Sequence, residues 1–195
     1  MNYRQKLDIS GNAFVVVGLA GIRHEKNLAG LIEMLSHVRA KGGELVYLHG
    51  GPVLEENEGG LFKHFCREYQ WIYYGGVIPH HEVLSFLKAG DIFVSASRSE
   101  GMPHAVREAM FAHLPCLLSD IEGHRNMVQE GVEGLFFGNE KDFMNKMKVF
   151  MNSKNLRETL GINGYNRVTK ELSDAGEIDS YLAIAWAAMG HPGSA

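Results

Sequence analysis

The stretch FVVVGLAGIRHEKNLAGLIEMLSHVRAKGGELVYLHGGP, residues 14–52, decides the fold class. Its opening, residues 14–17, is a short β-branched run closed by Gly18 and Gly21, as a buried strand requires. Over residues 26–40 the apolar positions are Leu28, Leu31, Ile32, Leu35 and Val38, which is the helical period. Gly42 and Gly43 end that helix, and residues 44–48 read as the next strand. Strand, helix, strand within one short span predicts a right-handed parallel crossover.

The same alternation continues outward. Strands are expected at 71–74, 91–96, 115–119 and 134–137, and helices at 61–69, 80–87 and 104–112. Beyond the last strand the periodicity predicts helices at 140–151, 156–171 and 178–189. The expected fold is α/β, a doubly wound parallel sheet of Rossmann type with a helical C-terminal extension. No repeat or Pro/Ser-rich linker divides the chain. It reads as one domain over residues 1–195, with a core at 13–137 and a helical part at 140–189.

Bulk properties agree with this and exclude several function classes. A length of 195 residues suits one large domain able to close a core without disulfides or metals. A formal net charge of −4 argues against nucleic acid as a partner. No run approaches the ~20 apolar residues that cross a bilayer. The start lacks the apolar core of a signal peptide, and the two cysteines, Cys66 and Cys116, have no metal-binding spacing. Both are expected as buried free thiols in a reducing, cytoplasmic setting. His80 and His81 have no partner at ligand spacing, so no metal is expected. Met144, Met147 and Met151 read as core, and Lys141, Lys146, Lys148 and Lys154 as a solvated face.

Ligands of doubly wound sheets sit beyond the carboxyl ends of the strands, so the residues after each strand carry the candidate chemistry. GLAGIRHEKN, residues 18–27, combines glycines that permit close backbone approach with Arg23 and Lys26 beside a helix start, a set suited to phosphate. SRSEGMPHAVREAM, residues 97–110, places Pro103 in a first helical turn, with the amides of Gly101, Met102 and His104 directed at the crevice. Glu100 and Glu108 are eight residues apart, a helical rise of about 12 Å and a rotation of about 80°. The two carboxylates would therefore face one elongated ligand at two places, gripping hydroxyls rather than phosphate. SDIEGHRNMVQEG, residues 119–131, is a polar turn in which Asp120 is expected to cap a helix and Gly123 to approach a ligand.

These segments in this order resemble the nucleotide-sugar-binding half of group 1 glycosyltransferases, retaining enzymes of the GT-B fold. EGMPHAVREAM followed by LPCLLSDIEGHRNMVQEGVEGLFF is similar to the family pattern EG-[FM]-[GP]-x4-EAM-x2-G-x-PV-x-x-[ST]-x3-G. The resemblance covers roughly residues 13–185. It implies that Lys26 and Arg23 hold a donor diphosphate, that Glu100 contacts the transferred sugar and that Glu108 binds ribose hydroxyls. Gly21, Gly101, Met102, Pro103 and His104 would lie against sugar and phosphates, and Val77, after Gly75-Gly76, near the base. The implied donor is a UDP- or GDP-type sugar of hexose class, with no cofactor and no metal. Three positions depart from the pattern. Gly21 stands where the family has arginine, His113 where it has the glycine that ends the helix, and Asn126 where it has glutamate.

The reading that follows is the C-terminal, donor-binding domain of a sugar transferase. Its N-terminal acceptor-binding domain is expected in cis or in trans, and the full enzyme at a membrane face. The chain by itself is expected to bind donor and to turn over little. The alternative is a non-catalytic nucleotide- or protein-binding module of the same fold.

Overall fold

A computed structural model describes residues 3–174. The helix expected at 178–189 lies outside the described residues. A short helix α1 (Tyr3–Lys6) precedes β1 (Phe14–Leu19), α2 (Leu28–Ala40), β2 (Leu45–Gly50), α3 (Glu56–Glu68) and β3 (Ile72–Tyr74). The second half runs α4 (Val83–Leu87), β4 (Ile92–Ser95), α5 (His104–Phe111), β5 (Cys116–Ser119), α6 (Glu122–Arg125), β6 (Gly134–Phe137), α7 (Glu140–Asn152) and α8 (Lys154–Asp174).

The strands form one parallel six-stranded sheet in the order β3-β2-β1-β4-β5-β6. This is a Rossmann-like α/β fold, as the alternation of elements predicts. The order reverses between β1 and β4, which leaves a crevice above their carboxyl ends. Period-two alternation divides the core between the two faces. Val15 and Val17 pack with α4, α5 and α8, whereas Val16 packs with α2, α3 and α7.

Several boundaries differ from the sequence expectation. β1 runs through Gly18 to Leu19, because Gly18 pairs with His49 and Leu19 with Gly50. α3 starts at Glu56 rather than residue 61, since its first turn, ENEGG, is polar and glycine-rich and hides the period. α1 was not expected at all. Arg4 fixes it by bonding the Ala89 carbonyl (2.7 Å), the Ala13 carbonyl (3.0 Å) and Asp91 (2.8 Å).

Two side-chain expectations also change. Lys146 is not on a solvated face; it bonds the Phe136 carbonyl and pairs with Glu130 and Asp142. Cys116 is buried but Cys66 only half-buried. His113, at a helix end where glycine is the easier residue, adopts the left-handed conformation itself (φ 61°). The Leu114 amide closes the turn on the Ala109 carbonyl (2.9 Å), and the His113 ring stacks on Tyr165 of α8 at 3.9 Å.

Candidate functional site

The loop after β1 is tied to the end of β2. Ala20 donates its amide to the Gly50 carbonyl (2.9 Å) and Ile22 to the Pro52 carbonyl (2.7 Å). Gly18 lines the crevice with its backbone, and the interior behind it also requires a glycine. A Cβ there would lie 2.5 Å from the Tyr47 hydroxyl, so the glycine makes room for a buried Tyr47–His49 pair. The loop then turns through a 3₁₀ helix, His24–Lys26, and Asn27 in the left-handed region (φ 50°) starts α2. This turn projects Lys26 across the crevice. Its Nζ donates to Glu100 Oε1 at 2.6 Å, and the two side chains are 14% and 10% exposed.

The loop after β4 receives it. Ser97, buried, donates its hydroxyl to the same Glu100 oxygen (2.7 Å) and lies 3.1 Å from the Ser95 hydroxyl. Burial by itself would raise the Glu100 carboxyl. The hydrogen bonds from Lys26 and Ser97, with the Lys26 charge, outweigh it and hold the group below the usual carboxylate range. Arg98 clasps the Lys26-bearing turn from outside. Its amide donates to the Glu25 carbonyl (2.8 Å), and its guanidinium to the His24 carbonyl (3.1 Å) and Asn27 Oδ1 (2.9 Å).

The loop after β5 closes the back. Ser119 donates its hydroxyl to the Ser97 carbonyl (2.5 Å). His124 is fully buried; its Nδ1 lies 2.8 Å from the Ser119 carbonyl, and its Nε2 has no partner among the described residues. Burial pulls that ring below the ordinary histidine value. Gly123 does not approach a ligand as expected. A Cβ there would collide with the Glu100 carbonyl and lie 2.8 Å from the Glu100 Cβ, so the glycine lets α6 abut the backbone of Glu100. Asp120 does not cap α6 but pairs with Arg125 through both oxygens (2.6 and 2.7 Å), and Ile121 occupies the cap position.

Between these loops lies a cavity of about 310 Å³ at the switch point of the sheet. It brings together Gly21, Arg23, Lys26, Glu100, Met102, Pro103 and His104, all singled out from sequence. Arg23 is half-exposed at the mouth, where it pairs with Glu25 at 3.7 Å. The His104 amide is not free for a ligand, because it donates to the Met102 carbonyl (2.9 Å). Gly101, Glu108 and Val77 do not line this cavity. Val77 is exposed beyond β3. Glu108 lies one turn into α5, where burial pushes its carboxyl up to about 7. Ser97, Tyr47 and His49 line the cavity and were not singled out as site residues. Ser97 opens the segment 97–110 without having been assigned a role there, whereas Tyr47 and His49 are brought in by β2. Among the described residues no three His, Cys, Asp or Glu side chains gather as metal ligands. No described helix is long and apolar enough to cross a membrane.

Comparison with known proteins bears on the family and the fold. The family described as Glycosyl transferases group 1 matches residues 1–167. A Xenopus tropicalis protein called Glycosyltransferase 1 domain-containing protein 1 is 26% identical over 175 residues, 90% of this chain and 51% of the relative. An Escherichia coli UDP-Gal:alpha-D-GlcNAc-diphosphoundecaprenol alpha-1,3-galactosyltransferase is 36% identical over 99 residues, 46% of this chain and 25% of that protein. The chain thus spans about half the length of the first relative and a quarter of the second. Among solved structures, Anabaena HepE in complex with UDP and glucose superposes with a TM-score of 0.78 at 19% identity, over 93% of this chain and 50% of that one.

Proposed function

The chain belongs to the group 1 glycosyl transferases, and from that premise we propose that it is the C-terminal, donor-binding domain of an enzyme that transfers a hexose-type sugar with retention. The donor is a UDP- or GDP-type sugar. The observation that carries the proposal is the cavity at the β1/β4 switch point, where Arg23, Lys26 and Glu100 converge. Two cations and a carboxylate in one crevice suit a ligand that is anionic at one end and hydroxylated at the other. The UDP donor named for the Escherichia coli relative and the UDP and glucose held by HepE support that ligand class.

In this reading Lys26 and Arg23 take the diphosphate, and Lys26 bridges it to Glu100, which accepts hydrogen bonds from the sugar hydroxyls. Negative charge builds on the departing nucleotide diphosphate as the glycosidic bond to it breaks. Fixed cations stabilise that charge without reorganising, which lowers the barrier. Gly21, Gly101, Met102 and Pro103 approach sugar and phosphates, and His104 does so through its ring. Glu108 takes the ribose hydroxyls and Val77 lies by the base. No metal is required for this assignment, since the cations are side chains. An acceptor-binding domain, in cis or in trans, completes the reaction cleft, and the complete enzyme works at the cytoplasmic face of a membrane.

Calorimetric titration with UDP, GDP and their hexose derivatives tests the assignment. Binding of at least one nucleotide diphosphate, weakened at least tenfold by Lys26→Ala, is the expected result. A folded sample that binds none of them at millimolar concentration would overturn it.

A further inference from the structure

Tyr47 and His49 are the buried polar side chains of the cavity that the transfer reaction leaves unused. Each is fully buried in β2. The His49 Nε2 lies 3.1 Å from the Ala20 carbonyl, and its Nδ1 lies 2.9 Å from the Tyr47 hydroxyl. A carbonyl oxygen only accepts, so Nε2 carries the ring proton. Burial keeps the ring neutral down to about pH 4, so Nδ1 is bare and accepts from Tyr47. The protons therefore run in one direction, from the Tyr47 hydroxyl to Nδ1 and from Nε2 to the Ala20 oxygen.

Ala20 is the residue at which the chain leaves β1 for the loop carrying Gly21, Arg23 and Lys26. Its amide is held by Gly50 and its carbonyl by His49, so both polar groups of this residue are pinned to β2. The Ala20–Gly21 peptide is trans, so the C=O of Ala20 and the N–H of Gly21 point in opposite directions. Fixing the carbonyl fixes that N–H, which donates to no group of the described residues. It also takes up an oxygen lone pair that would otherwise oppose an anion.

We propose that the Tyr47–His49 relay is a positioning device for the donor site, locking the Ala20–Gly21 peptide so that the Gly21 N–H serves as a donor to the diphosphate. This rests on the donor-binding reading of the cavity. Gly18 is its third member, since a Cβ at that position would displace the Tyr47 hydroxyl. Three residues on two strands thus act as one unit.

The test is calorimetric titration of the folded chain with UDP, using Tyr47→Phe, His49→Leu and His49→Gln beside the unmodified protein. His49→Leu removes the donor to Ala20 and should weaken UDP about tenfold. His49→Gln places an amide N–H where Nε2 was and should recover most of that loss. Tyr47→Phe removes one hydroxyl, keeps the fold, and should weaken UDP about threefold. The tautomer has its own signature: two-bond ¹H–¹⁵N spectra should show His49 Nδ1 unprotonated between pH 5 and 8. UDP binding unchanged in both His49→Leu and Tyr47→Phe, or a protonated Nδ1, would overturn the relay while leaving the donor site intact. Failure of the unmodified chain to bind any nucleotide diphosphate would instead overturn the donor-binding reading, and the relay with it.

Discussion

Replacing Lys26 with methionine should destabilise the chain in a way that depends on pH. The ammonium and the Glu100 carboxylate are 2.6 Å apart and largely withdrawn from water. Removing one partner of a buried ion pair costs about 3–5 kcal/mol, because the other charge is stranded. Ser97 retains one hydrogen bond to Glu100, worth ~1 kcal/mol, and some solvent reaches the pair. The expected cost at pH 8 is therefore about 2 kcal/mol, or about 4–8 °C in Tm for a chain of this size. In the unmodified protein the Glu100 carboxyl titrates below its ordinary value. Its contribution is present above the unfolded value and lost as pH falls through the folded one. In Lys26→Met burial acts against weaker opposition, so the carboxyl titrates higher than in the unmodified protein and takes up a proton sooner as pH falls. The cost should then shrink as pH falls. Adding Glu100→Gln should return most of it, since a neutral amide strands no charge. Urea denaturation followed by circular dichroism at pH 8 and pH 5 measures all of this. A cost below about 0.5 kcal/mol at pH 8, or no recovery in the double variant, would refute the reasoning.

Gly123→Ala should cost about 2–3 kcal/mol, because its new Cβ is driven into the Glu100 backbone. Thermal melts beside Gly101→Ala, where a Cβ meets nothing within 4 Å, separate that collision from a general effect of alanine. Glu108→Gln should stabilise the chain at pH 8 by about 1–2 kcal/mol and leave it unchanged near pH 4.5. Burial raises the folded carboxyl to about 7, so stability is lost as pH rises from the unfolded value to about 7 and is level above it. Equal melting temperatures of Glu108→Gln and the parent at pH 8 would count against that assignment.

The fold was legible because its signals are local. The β-branched run before Gly18 and the helical period from Leu28 to Val38 each determine one element, and their alternation determines the sheet. Lys26, Arg23 and Glu100 were legible as residues because each lies in a loop that follows a strand. Their relationship was not. Lys26 and Glu100 are 74 positions apart, and no spacing rule says that one cation neutralises one carboxylate. Glycines misled for a related reason. Gly123 looks like a ligand-facing position, yet it yields space to the backbone of Glu100; Gly18, which does line the crevice, also yields space to Tyr47. α1 stayed hidden because Arg4 holds it by bonds to Ala89 and Asp91, long-range contacts with no periodic trace. The helix end at His113 shows the converse. The glycine rule identifies the left-handed position, but a histidine occupies it, with its ring stacked on Tyr165 of a distant helix.

The central claim, that the β1/β4 crevice is a donor site, is tested most directly by a crystal structure of the chain grown with a UDP-hexose that binds it. The β-phosphate is expected within hydrogen-bond distance of Lys26 Nζ, with the sugar hydroxyls on Glu100. Density for the nucleotide sugar elsewhere on the molecule, with the Lys26–Glu100 pair undisturbed and the crevice holding only water, would contradict it.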